Sequence, residues 1–247
     1  MTLIGRVRTA AGDIVHVRRD GERVVAIEDP YAAFAAGRAA ADADGAALVG
    51  GELLAASSPV VVVGIAQNGP EHASPVQAWL KSPRTVVGSG VPVTLRRDAG
   101  TTVAEGEIAV VIGRETTGLT AANAAEYVLG ITAVNDLSSP DRGAIDPRNF
   151  ESKAGEGYTP LGAWIDTAAS LADVPLRLSL DGVEVATTDA GRLPVPIAEC
   201  LAYLAQWTTL GPGDVVMTGA PFSQSPVRPG QTIDVEVGAV RLTTPTR

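Results

Sequence analysis

Short β-branched runs, cut apart by glycine and proline, constrain this chain more than any other feature. Of 247 residues, 27 are Gly and 17 are Pro. Gly costs backbone entropy in a helix and Pro lacks the N–H a helix needs, so a helical bundle is disfavoured. The apolar runs between the breaks are four to eight residues long, which suits buried strands. The expected class is α+β and strand-rich, with many turns.

Residues 1–57 read as a small N-terminal unit. Ile14, His16 and Arg18 share one side of a strand, and Val15 and Val17 the other. Asp20-Gly21 marks a hairpin ahead of Val24, Val25 and Ile27. Asp29-Pro30 opens an alanine-rich helix over 31–41. Residues 58–247 form the larger domain. Its strands are expected at 59–65, 106–113, 130–134, 215–218 and 232–237, with a further apolar stretch at 91–95. Thr120 is expected to cap a helix over 121–129. Asp181-Gly182 joins 176–180 to 183–185 as a hairpin. Ile197, Leu201, Leu204 and Trp207 fall at helical spacing, which predicts an amphipathic helix over 197–210, stopped by Gly211-Pro212-Gly213.

The formal net charge of −9 argues against nucleic acid or an anionic membrane as partner, since both call for clustered positive charge. One cysteine, Cys200, excludes an internal disulfide framework and a Cys-rich zinc or iron–sulfur site. Two histidines, His16 and His72, leave little room for a His-based zinc centre. The longest charge-free run, 53–70, contains Ser57, Ser58, Pro59, Gly64, Gln67, Asn68, Gly69 and Pro70 and is too polar for a membrane span. No apolar core follows the first arginines, so no signal peptide is expected. These features lead to the expectation of a soluble, cytoplasmic protein.

Three acids stand where acids are awkward. Glu105 and Glu107 sit two apart at the entry of a very apolar strand. At that spacing both carboxylates face one side, roughly 6–7 Å apart along the strand. They repel each other, and a hard divalent cation with carboxylate oxygens as ligands removes the repulsion. Asp136 ends another apolar strand 29 residues after Glu107, far enough for the chain to leave the sheet and return. Oxygen-only ligation favours Mg²⁺ or Mn²⁺ over zinc. The alternative is that Glu105 and Glu107 are solvent-facing strand residues.

Four segments together resemble the fumarylacetoacetate hydrolase family. They are Glu105-Gly-Glu107-Ile-Ala-Val-Val-Ile-Gly113; Asn135-Asp136-Leu-Ser; Lys153 ahead of Gly157-Tyr158-Thr159-Pro160-Leu161-Gly162; and Leu210-Gly-Pro-Gly-Asp214-Val-Val-Met-Thr218-Gly219-Ala220-Pro221. Coverage runs from about residue 59 to 240. The resemblance implies a mixed β-roll, a homodimer, and Mg²⁺ or Mn²⁺ held by Glu105, Glu107 and Asp136. It also implies small-molecule substrates with a 2-oxo acid or 1,3-dicarbonyl unit. The Lys153 neighbourhood and the last segment are closest to the decarboxylase/isomerase branch of homoprotocatechuate breakdown. On this reading Lys153 neutralises a carboxylate or enolate, and burial near the cation lowers its pKa enough for proton transfer. Thr218 contacts a substrate carboxylate, and Lys81 and Arg142 are further candidate substrate contacts.

Two departures from the family pattern stand out. Many members carry Gly-x-Asn-Tyr-x-x-His, with a Glu three residues on, as an acid/base pair. Here Asn68 is four residues after Gly64 rather than two, and Pro75 holds the Glu position. His72 is then either the general base or a loop histidine, and Glu71 is a substitute acid. Where the family often has an Arg four residues after the aspartate, this chain has Pro140, with Arg142 nearby. Hydrolysis needs a positioned base to activate water, whereas decarboxylation and tautomerisation need mostly an electron sink and a proton donor. The expected activity is therefore decarboxylation or keto–enol isomerisation ahead of C–C hydrolysis. A non-catalytic member that binds a metabolite is the alternative from another class.

Overall fold

The structure, a computed structural model, describes residues 2–48, 50–67 and 76–247. Glu71 and His72 lie outside the described residues. The chain begins with β1 (Leu3–Arg8), β2 (Ile14–Asp20) and β3 (Arg23–Ile27), then α1 (Pro30–Ala35) and β4 (Asp42–Ala47). Next come β5 (Glu52–Leu53), β6 (Val62–Ile65), β7 (Ala78–Lys81), β8 (Val86–Gly88), β9 (Thr102–Ile112) and β10 (Val128–Asn135). Two one-turn helices, α2 (Pro140–Gly143) and α3 (Phe150–Lys153), precede β11 (Thr159–Leu161), β12 (Trp164–Asp166), β13 (Pro175–Leu180) and β14 (Val183–Asp189). The amphipathic α4 (Ile197–Trp207) leads to β15 (Val215–Met217), β16 (Gln224–Val227), β17 (Thr232–Val237) and β18 (Val240–Pro245).

Fourteen strands form one mixed sheet with the main path β4-β3-β2-β1-β12-β10-β9-β15-β6-β7. The pairs β15/β6 and β11/β8 are parallel, and the other pairs are antiparallel. Four strands, β14-β13-β17-β18, form a second sheet. The N-terminal strands thus join the main sheet through β1 and β12. The class is strand-rich α+β, as expected.

Strand alternation on β9 explains where the acids go. Ala104, Ile108, Val110 and Ile112 pack in one core cluster with Leu178, Val235 and Leu242 of the second sheet. Ala109 and Val111 pack on the opposite side with Val134, Leu161, Val215 and Met217. Glu105 and Glu107 share the Ala109 side by parity, and Asp136 continues the Val134 side of β10. Three carboxylates are therefore carried into one buried layer by backbone geometry alone.

Several boundaries differ from the sequence reading. The helix after Asp29-Pro30 runs only to Ala35, because Gly37 takes φ 72° and turns the chain back. Asp29 does cap it, accepting a bond from the Tyr31 N–H. No α-helix follows Thr120. The Asn123 side chain accepts from the Thr120 N–H at 2.7 Å, a short 3₁₀ turn covers Ala124–Tyr127, and Val128 already pairs with Ile112. Sheet pairing of Val128 and Gly130, with Leu129 buried in the core at the bulge between them, outweighs the weak helix preference of 121–129. The 91–95 stretch makes only an isolated bridge from Val93 to Thr246. The Asp181-Gly182 hairpin forms as read, with φ 51° and 78° at its two central residues, the signature of a type I′ turn. No helix of the described residues is long and apolar enough to cross a membrane.

Candidate metal centre

One carboxylate oxygen from each of Glu105, Glu107 and Asp136 lies within 4.8 Å of the other two. All three side chains are buried, and Asp136 is fully so. The backbone ties their strands together beside the cluster. Asp136 N–H donates to the Glu105 carbonyl at 2.9 Å, and Val134 is in register with Glu107. Glu107 accepts a 2.7 Å bond from the Gly219 N–H. Gly219 has φ 94°, and a Cβ there would stand 2.3 Å from the Gln67 carbonyl oxygen, so only glycine presents that N–H to Glu107.

Two buried ammonium groups close the cluster. Lys153 Nζ donates to Glu105 Oε2 at 2.7 Å, Asp136 Oδ2 at 2.6 Å and Ser138 Oγ at 2.5 Å. Lys81 Nζ donates to Asp136 Oδ1 and to the Tyr158 carbonyl at 2.7 Å. Three carboxylates against two ammoniums leave one negative charge without a partner. That charge sits on Glu107, which makes no ion pair among the described residues.

The titration of these groups follows from this imbalance. Burial, then the neighbouring Asp136 and Glu105 charges, pushes Glu107 well above the ordinary carboxyl range. Burial raises Glu105 as well, with Lys153 opposing. Burial also works against the Asp136 carboxylate, but Lys153 and Lys81 outweigh it and hold Asp136 low. Lys81 is lowered by burial, which Asp136 only partly offsets. Lys153 is raised, because Asp136, Glu105 and Glu107 more than compensate its burial.

A divalent cation fits this donor set. Hard cations take carboxylate oxygens, and the converging trio offers oxygen ligands in a buried cage with no thiolate or imidazole among the described residues. The negative charge left on Glu107 is of the sign such an ion neutralises.

The other expected site residues fall differently. Thr218 is fully buried beside β15, and its hydroxyl donates to the Ile108 carbonyl at 2.9 Å, so its proton is already engaged. Arg142, on α2, pairs with Glu151 and has no bond to the acid trio among the described residues. Ser138, the Tyr158 carbonyl, the Gly219 N–H and Trp79 were not anticipated as parts of the site. Trp79 and Lys81 are two apart on β7 and so share a face, a spacing visible in the sequence. A cavity of about 780 Å³ lies elsewhere, lined by Ile4, Phe34, Arg114 and Leu129.

Comparison with known proteins agrees with this geometry. Residues 51–245 match the family model described as fumarylacetoacetate (FAA) hydrolase C-terminal. A 4-hydroxyphenylacetate degradation bifunctional isomerase/decarboxylase from Escherichia coli is 30% identical over 172 residues, 68% of this chain and 39% of that protein. The chain thus spans well under half of that relative. A maleylpyruvate hydrolase from Aquipseudomonas alcaligenes is 28% identical over 170 residues, 68% of this chain and 58% of that protein. The crystal structure of 2-hydroxyhepta-2,4-diene-1,7-dioate isomerase from Mycobacterium marinum superposes with a TM-score of 0.90 at 26% identity, covering 100% of this chain and 98% of that one. With its sheets, its buried acids and a matching model over most of its length, the chain belongs to the fumarylacetoacetate hydrolase family.

Proposed function

We propose that this chain is a Mg²⁺- or Mn²⁺-dependent enzyme that acts on a small 2-oxo acid or its enol by decarboxylation or keto–enol isomerisation. The observation that carries the reading is the convergence of Glu105, Glu107 and Asp136 beside the Lys153 ammonium. When bound, the cation supplies positive charge that draws electron density from a 2-oxo group. Glu105, Glu107 and Asp136 hold it, and Lys81 fixes Asp136 by clamping Oδ1 against the Tyr158 carbonyl. Its acidic neighbours hold Lys153 as an ammonium that binds the substrate carboxylate, and a cation taking up the charge of those acids would lower its pKa towards donating the proton that the reacting carbon needs. In decarboxylation the bond from the carbon next to the 2-oxo group to a second carboxylate breaks, CO₂ leaves, the electron pair of that bond is taken up as the enolate of the 2-oxo group, and the same carbon is then protonated.

The names of the E. coli and M. marinum relatives support this choice. The A. alcaligenes relative supports a second reading, C–C hydrolysis of a maleylpyruvate-like substrate. Product analysis separates them, since hydrolysis yields two acids and decarboxylation yields CO₂. We further propose that the enzyme works as a homodimer. The decisive assay follows loss of a 2-oxo acid by the wild type and Glu107→Ala with added Mn²⁺. Turnover abolished in the variant supports the reading, and equal turnover removes the trio from the chemistry.

A further inference from the structure

Both oxygens of Asp136 are already occupied, Oδ1 by Lys81 and Oδ2 by Lys153. A divalent cation that binds Asp136 and Glu105 through these oxygens would stand against the ammonium already on each and repel it. Lys81 is buried, and its one other bond among the described residues is to the Tyr158 carbonyl. Lys153 has a different set of neighbours. Its Nζ also touches Ser138 Oγ at 2.5 Å and stands 5.0 Å from the centroid of the Trp79 ring. That separation is within cation–π range, and indole is the strongest of the aromatic faces for a cation.

The placement of Trp79 is built rather than incidental. Gly64, in register with Trp79 on the neighbouring strand, has no side chain. A Cβ there would stand 2.3 Å from Trp79 Cζ2 and 2.5 Å from Cε2, so the indole lies where any other residue on β6 would exclude it. Among the described residues Trp79 Nε1 is buried without an acceptor, so none of them fixes the ring there by a hydrogen bond.

We propose that Trp79 is a positioning residue: its ring face, with Ser138, receives the Lys153 ammonium when a divalent cation displaces it from Glu105 and Asp136. The lysine then stays beside the substrate instead of competing with the metal. This inference rests on the metal reading above.

The test is a double-mutant cycle on metal affinity, read by calorimetric titration of metal-stripped protein with Mn²⁺ alone. Lys153→Met removes the competing ammonium and is expected to tighten Mn²⁺ binding. Trp79→Leu removes the alternative berth and is expected to weaken Mn²⁺ binding about 3- to 30-fold. In the Lys153→Met background the same Trp79→Leu change is expected to alter affinity less than about twofold. Trp79→Phe, which keeps a weaker π-face, is expected to fall between, and thermal melts verify that each variant is folded. Equal weakening by Trp79→Leu in both backgrounds overturns the inference, because a packing role does not depend on Lys153. If Trp79→Leu does not fold, the Trp79→Phe effect in the two backgrounds decides by the same criterion. Absence of Mn²⁺ binding by the wild type overturns the metal reading itself, and this inference with it.

Discussion

Glu107 accepts a 2.7 Å bond from the Gly219 N–H, and this neutral donor stands where its two fellow acids have ammonium partners. An unbalanced buried carboxylate is expensive for a metal-free protein and useful to one that binds a cation. Glu107→Gln keeps the shape and removes the charge. Thermal melts in EDTA should show the variant about 1–3 kcal/mol more stable than wild type. Titration with Mn²⁺ should show its affinity lowered by two orders of magnitude or more.

The pH dependence follows from the same residue. A carboxyl group whose folded-state pKa is raised binds its proton more tightly in the native state than in the unfolded one. Stability therefore falls as pH rises above the unfolded value of 4.5 and through the raised folded value. In EDTA the wild type should lose melting temperature relative to Glu107→Gln over that range. Saturating Mn²⁺ should remove the loss in wild type, because the cation takes the place of the proton. Melting curves across pH, with and without metal, check both signs.

Asp136 has the opposite character, since both buried lysines depend on it. Asp136→Asn leaves two ammoniums short of a carboxylate. Denaturant unfolding should show a loss of about 3–5 kcal/mol, among the largest effects of any isosteric change in the chain.

Gly219→Ala tests the backbone donor. At φ 94°, with a Cβ 2.3 Å from the Gln67 carbonyl oxygen, alanine is strained and crowded at once. A loss of about 2 kcal/mol or more is expected in unfolding experiments, with weaker Mn²⁺ binding as Glu107 loses its fixed geometry.

The strands and the acid trio were legible in the sequence because both rest on a period of two. Glu105 and Glu107 share a face whatever the surroundings, and Asp136 follows an apolar run that pairs back onto β9. The turn in place of a helix after Thr120 is not legible in the sequence, because it depends on Val128 finding Ile112 across the sheet. The ammonium pair was only half legible. Lys81 is legible as a candidate site residue, but its bond to Asp136 is a long-range contact that spacing along the chain does not encode. Trp79 carried a signal in its spacing from Lys81. The complementary feature, the missing side chain of Gly64 across β6, emerges only once the strands are paired. Arg142 pairs with Glu151 nine residues on, a local contact that the spacing from Asp136 does not reveal.

The most direct test of the central claim is anomalous diffraction from crystals of the wild-type protein soaked with Mn²⁺ and oxalate, a dianion that mimics the chelating end of an oxo acid. One strong manganese peak is expected about 2.2 Å from oxygens of Glu105, Glu107 and Asp136, with oxalate completing the coordination. A manganese peak elsewhere, with these three side chains unchanged around the two lysines, would contradict the account.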